Sequence, residues 1–104
     1  MTQFDVHPNP VRAARAAYPW VAIMQSPFAD ASRERIVAPL VRRDAFPASP
    51  GRLTPVVEIE GAAHVLLVPG RAAIRAQDLG APAGSLARHR PEILAAIDYL
   101  FFGV

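Results

Sequence analysis

Cysteine is absent from this chain of 104 residues. That excludes a disulfide framework, a thiolate zinc site and a cysteine nucleophile. Histidine is scarce: His7, His64 and His89 are separated by long stretches, which argues against a histidine-rich metal centre, and neither a metal nor an organic cofactor is expected. Lysine is missing as well. The eleven basic side chains are all arginine, set against nine acids for a formal charge of +2. The pI of 9.9 rests on that small imbalance, because arginine barely titrates near neutral pH. The arginines come in small pairs (Arg33 and Arg35, Arg42 and Arg43, Arg88 and Arg90) with acids close by. A nucleic-acid binder masses its positive charge on one face or segment, so direct sequence-specific DNA binding by this chain alone is not expected. Long apolar runs are lacking too. Trp20 to Met24 is the longest near the N-terminus, far short of the roughly 20 residues that span a bilayer. The first ten residues carry Asp5, Pro8 and Pro10 where an export signal needs continuous apolar sequence, so no membrane is expected and the cytoplasm is the expected compartment.

What is present is a foldable composition. The chain is 52% hydrophobic and 19% charged, which excludes intrinsic disorder, and its length leaves room for a single domain over residues 1–104. Eleven prolines interrupt helices and central strands, cutting the chain into short extended pieces. Gln3 to His7 alternates, with Phe4 and Val6 on one face, and reads as a strand. Pro8 to Ala17 reads as a loop or hairpin arm. Trp20 to Gln25 and Arg35 to Val41 read as buried strands, the second despite Pro39, with an exposed loop from Ser26 to Ser32 between them. Leu53 to Ile59 is the clearest strand, because Val56, Val57 and Ile59 are β-branched. Glu60-Gly61 turns it into Ala62 to Val68 as a hairpin. Ala72 to Leu79 adds one short strand, and Gly80 to Gly84 is a loop.

The C-terminal stretch changes character. Pro91 suits a first helical turn, Glu92 complements the helix dipole and Gly103 is a stop, which predicts a helix over about 91–102. The fold class is mainly β (α+β): an SH3-like small barrel of short antiparallel strands with a C-terminal α-helix. At 100° per residue, Ile93, Ile97, Leu100 and Val104 share the face expected to cover the sheet. Tyr99 and Phe102 fall on the far side with Asp98 and Ala95. Either the last turn frays and Phe102 folds back into the core, or this aromatic face meets another chain, as a homodimer or target contact.

Signs of catalysis are missing. No serine sits in a nucleophile elbow, and there is no phosphate loop or dinucleotide fingerprint. His64 reads as a strand-face side chain. Glu58 and Glu60 read as a pair on one strand face. Arg88, His89 and Arg90 form a small basic cluster ahead of the helix that could hold a phosphate but more often marks a solvated helix approach, with no acid beside it in sequence.

The order Gln3-Phe4-x-Val6, Gln25-Ser26, Arg35-Ile36-Val37-Ala38-Pro39-Leu40 and Pro55-Val56-Val57-x-Ile59 resembles the CcdB toxin family. The ending Ile93-x-x-Ala96-Ile97-x-x-Leu100-Phe101-Phe102-Gly103-Val104 is similar to that family's terminal helix and aromatic-glycine-aliphatic finish. The resemblance covers nearly the whole chain. It implies a homodimeric, non-enzymatic toxin of a bacterial toxin–antitoxin pair. Such a toxin binds the A subunit of DNA gyrase and traps the cleaved DNA complex, inhibiting topoisomerase II activity. It is neutralised by the disordered tail of a cognate CcdA-like antitoxin, and with that antitoxin forms a transcription repressor complex. The resemblance places the gyrase contact on Phe102, Gly103 and Val104, with Phe101 and Asp98 beside them. Phe102 stands where the best-known member has tryptophan, and Asp98 stands where the family has a polar amide. The alternatives are an endoribonuclease toxin of the MazF or Kid type, which shares the barrel but needs an acid–base set and a basic groove, or an inactive relative that retains only antitoxin binding.

Overall fold

A computed structural model describes residues 2–29 and 32–104. Its elements are β1 (Asp5–Pro8), β2 (Trp20–Ile23), β3 (Glu34–Arg42), β4 (Val56–Ile59), β5 (Ala62–Leu66), β6 (Ala72–Arg75), β7 (Gly84–Ser85) and α1 (Arg90–Phe102), with short 3-10 turns between them. Every pairing is antiparallel, in the order β4-β5-β3-β2-β1-β7, and β6 also pairs with β3. The sheet closes almost into a barrel with one C-terminal helix, the class expected from the sequence.

β3 serves two neighbours on one side. Glu34 to Val37 pair with β6 and Leu40 to Arg42 pair with β5. Pro39 lies at the handover between them, where no ladder bond on that side depends on its missing N–H. Its carbonyl is still used, accepting from the Leu67 N–H at 2.9 Å. The β4–β5 hairpin closes through Glu60 (φ +51°) and Gly61 (φ +78°), a two-residue turn with both φ positive that matches the twist of the flanking strands. Glu60 thus belongs to the turn, and it does not share a strand face with Glu58.

Several boundaries differ from the sequence reading. β1 starts at Asp5 because Phe4 adopts φ +70°, which breaks the extended run. Residues 53–55 precede β4, and β5 stops at Leu66 as Val68 enters a turn. β6 ends at Arg75, where Ala76–Asp78 turns away. Pro8 is the last residue of β1, paired with Trp20, and residues 9–17 form a loop with a 3-10 turn at Arg12–Ala14. Buried Asn9 pins it, donating to the Tyr18 carbonyl at 2.8 Å and accepting from the Val11 N–H at 3.0 Å. Gly84, expected in a loop, pairs instead with Val6 to form β7 with Ser85. Of the expected Ser26 to Ser32 loop, Asp30 and Ala31 lie outside the described residues.

Both faces of the central strands are covered. Along β2, Ala22 and then Met24 just past its end join the main core, while Val21 and Ile23 join a smaller cluster with Val37 and Leu79. This double burial is why Trp20 to Met24 is continuously apolar. The main core also takes Phe4, Val6, Leu40, Val57, Leu66 and Leu86, closed over by Ile93 and Ala96 of α1.

Candidate functional site

Helix α1 is positioned at both ends. At its start, Arg90 donates to Gln3 Oε1 at 3.1 Å, and Pro91 occupies the first turn, where no N–H is needed. Just before it, His89 Nε2 accepts from the Glu58 N–H at 3.2 Å and from Arg88 Nε at 3.3 Å. Arg88 in turn donates to the Glu58 carbonyl at 3.1 Å and meets its carboxylate at 3.3 Å. The structure therefore brings an acid, Glu58, to the basic cluster that lacked one in sequence. These groups are spent tying β4 to the start of the helix. At the far end Gly103 turns left-handed (φ +72°) and its N–H donates to the Tyr99 carbonyl at 3.0 Å, ending the helix as expected.

The inner face of α1 is Ile93 and Ala96, with Leu94, Ile97 and Leu100 packed partly against the core. Val104, expected on that face, is 75% exposed. The left-handed Gly103 takes the chain off the helical path, so the 100° step no longer applies to the residue after it. Phe102 is 74% exposed and does not fold back into the core. Phe101 is also exposed, as are Asp98, Gly103 and Val104. All five residues singled out from the sequence thus gather on the exposed end of α1.

The aromatics there differ in what covers them. The Arg52 guanidinium lies 3.9 Å from the Tyr99 ring centre, and that of Arg71 lies 4.8 Å from the centre of Phe101. Among the described residues, no guanidinium stacks on Phe102. Its ring stands bare, with the Asp98 carboxylate one turn earlier on the same helical ridge. Along the Phe101 side runs an apolar groove of about 530 Å³, lined by Met24, Ile36, Val68, Ala73 and Ile97 as well as Phe101 and Arg71. Gln25 shares that groove, and three residues further on Phe28 is 99% exposed. Phe28 lies in the Ser26 to Ser32 stretch that the sequence marks as an exposed loop.

Elsewhere the groups are engaged structurally. His7 is buried, its Nδ1–H donating to the Gly80 carbonyl at 2.9 Å, and buried His64 donates from Nδ1 to the Ala62 carbonyl at 2.9 Å. The Arg42 side-chain hydrogen bond holds Asp44 below the usual carboxylate range, and the same contact raises Arg42. Among the described residues, no group of three or more His, Cys, Asp or Glu is placed to hold a metal ion, and no helix is long and apolar enough to cross a membrane.

A family model described as CcdB protein matches residues 3–103. The chain belongs to the CcdB family. A comparison with curated proteins found no match. CcdB membership supports a role as the toxin of a toxin–antitoxin system.

Proposed function

We propose that this chain is a gyrase-poisoning toxin: a homodimeric, cytoplasmic binding protein that performs no catalysis of its own. It engages the A subunit of DNA gyrase through Phe102, Gly103 and Val104, flanked by Phe101 and Asp98, and a cognate antitoxin neutralises it. The observation that carries this reading is the bare Phe102 ring beside Asp98 at the end of α1, in a chain matched to the CcdB family over residues 3–103. A π face with a carboxylate one turn away is a receptor for an arginine or lysine side chain of the target. A cation over the ring contributes about 0.5–1 kcal/mol when exposed and about 2 kcal/mol when the contact is desolvated. The carboxylate of Asp98 adds an ion pair that the family's amide would not supply. Gly103 presents backbone with no side chain in the way.

The ribonuclease alternative is less well supported. Its acid–base set would have to be Glu58, Arg88 and His89, and His89 Nε2 already accepts two hydrogen bonds. Expression in a gyrase-sensitive host tests the reading. Growth arrest that is relieved by co-expressing the neighbouring antitoxin gene, and lost with Phe102→Ala, is the expected result. Arrest accompanied by RNA cleavage, or no arrest at all, would overturn it.

A further inference from the structure

Asp98, Tyr99 and Phe102 share the exposed face of α1. Phe102 is three residues on from Tyr99 and four on from Asp98, so its ring stands between the other two side chains. On the Asp98 side the charge is negative. The Tyr99 side carries the opposite charge, because the Arg52 guanidinium lies over the Tyr99 ring, 3.9 Å from its centre. That contact uses the face of the guanidinium and leaves the N–H donors around its rim. Among the described residues no acid takes them: the ion pairs engage Arg42, Arg75 and Arg88 but not Arg52. Glu92, which lines a groove of about 400 Å³ together with Arg52, Val56 and Ala95, makes no ion pair with it either. The backbone that carries Arg52 is fixed. The Gly51 N–H donates to Thr54 Oγ1 at 2.8 Å, the Thr54 N–H donates back to the Gly51 carbonyl at 3.1 Å, and the Pro55 carbonyl accepts from the Leu66 N–H at 3.0 Å.

We propose that Arg52, presented on the Tyr99 ring, binds a carboxylate of the same target that offers its cation to Phe102 and Asp98. The end of α1 then reads a basic and an acidic side chain standing next to each other, as they do three or four residues apart on one face of a helix. A guanidinium grips a carboxylate through two parallel N–H···O bonds, and these strengthen as the closing surfaces expel water. The pairing also selects. A uniformly basic surface would satisfy Asp98 but set like charge against Arg52, which disfavours the wrong partner. A nucleic-acid backbone is a poorer match than a carboxylate. Asp98 and Glu92 lie on the same helix as Tyr99, and the negative end of the helix dipole lies beside them, so a polyanion is repelled where a single carboxylate accompanied by its own cation is not. The role of Arg52 rests on the proposed gyrase contact and adds to it the acidic group that the target must set beside its cation.

The test is binding of the full chain to the purified A subunit of DNA gyrase by surface plasmon resonance, at low and high salt and with and without DNA. Arg52→Gln should bind about tenfold more weakly at low salt and lose less affinity as salt rises. Arg52→Lys should lose about threefold, because an ammonium keeps the charge but not the planar fork. Arg52 is exposed, so the Tm of both variants should stay within about 2 °C of the unaltered protein. Should Arg52→Gln fail to fold, Tyr99→Leu decides: it keeps the charge, removes the ring that presents it and should weaken binding about threefold, and unchanged binding would overturn the proposal. With folded Arg52→Gln, any of four results overturns it: binding as tight as that of the unaltered protein, an equal salt dependence, a loss seen only when DNA is present, or a loss of dimer mass in light scattering. The third would make Arg52 a phosphate contact and the fourth a contact between two copies of this chain. Phe102→Ala reports separately. If Phe102→Ala loses binding and Arg52→Gln does not, only the role of Arg52 falls. If the unaltered protein does not bind the A subunit, the gyrase reading fails and the role of Arg52 falls with it.

Discussion

Phe102 and Leu100 are two residues apart on α1 and sit in opposite environments, one solvent and one the edge of the core. Phe102→Ala should therefore cost well under about 1 kcal/mol. Leu100→Ala should cost roughly 2 kcal/mol and lower Tm by roughly 10 °C, because the side chain packs on the core without being wholly buried. Thermal melts of both variants check the contrast, and equal destabilisation would make Phe102 a core residue. Gly103→Glu carries a different penalty. No atom crowds a Cβ at Gly103, but its φ of +72° is one that L residues adopt at a cost of roughly 1–2 kcal/mol. The expected effect is fraying of the last turn, visible as faster amide exchange at Gly103, with Ile93 and Ala96 still protected. At this scale the helical period put Phe102 on the far side of α1 but left open its folding back into the core, which the structure rules out. Val104 was not legible, because the period was carried one residue past a left-handed glycine. Phe4 was legible as core but not in its backbone: nothing in a phenylalanine announces φ +70°, which is imposed by its N–H reaching Ile23 and its carbonyl accepting from Leu86.

Helix α1 was the most legible element, since proline, glutamate and glycine mark its ends and aliphatic spacing marks its face. The β4–β5 hairpin was equally clear from its β-branched run and the Glu60-Gly61 turn. β7 was not. Gly84-Ser85 has neither β propensity nor an apolar pattern, and it is a strand only because β1 offers it an edge. The clasp between β4 and the start of α1 was also hidden, because Glu58 and His89 are 31 residues apart in sequence. His89→Ala removes the acceptor of the Glu58 N–H and should cost about 1 kcal/mol. Hydrogen exchange at the Glu58 amide should accelerate in this variant, while exchange at Val65, across the hairpin on β5, stays slow. Unchanged exchange at Glu58 would mean that the clasp holds nothing. In sequence the basic cluster was open to two readings, a phosphate site or a solvated helix approach, because the acid that meets it comes from another element.

For the whole molecule, proline spacing together with the short strand patterns, the Glu60-Gly61 hairpin and the terminal helix signals was enough to expect a small antiparallel barrel with a terminal helix, and that is the architecture found. The handover of β3 from β6 to β5 was beyond reach, since strand neighbours are set by long-range packing and not by local pattern. A helix that is apolar against the barrel and aromatic at its exposed end suits a molecule with a second burial surface. Light scattering at micromolar concentration should return about twice the 11.2 kDa chain mass, and a steady monomer mass would contradict the dimer. In the proposed function the bare Phe102 ring, beside Asp98 and Gly103, is the contact through which this CcdB-family chain poisons gyrase. The most direct measurement is DNA supercoiling and cleavage by purified gyrase in the presence of the unaltered protein and of folded Phe102→Ala. The unaltered protein is expected to block supercoiling and accumulate cleaved DNA, and Phe102→Ala to lose potency about tenfold or more. Undisturbed supercoiling with the unaltered protein, or full potency in Phe102→Ala, would contradict it.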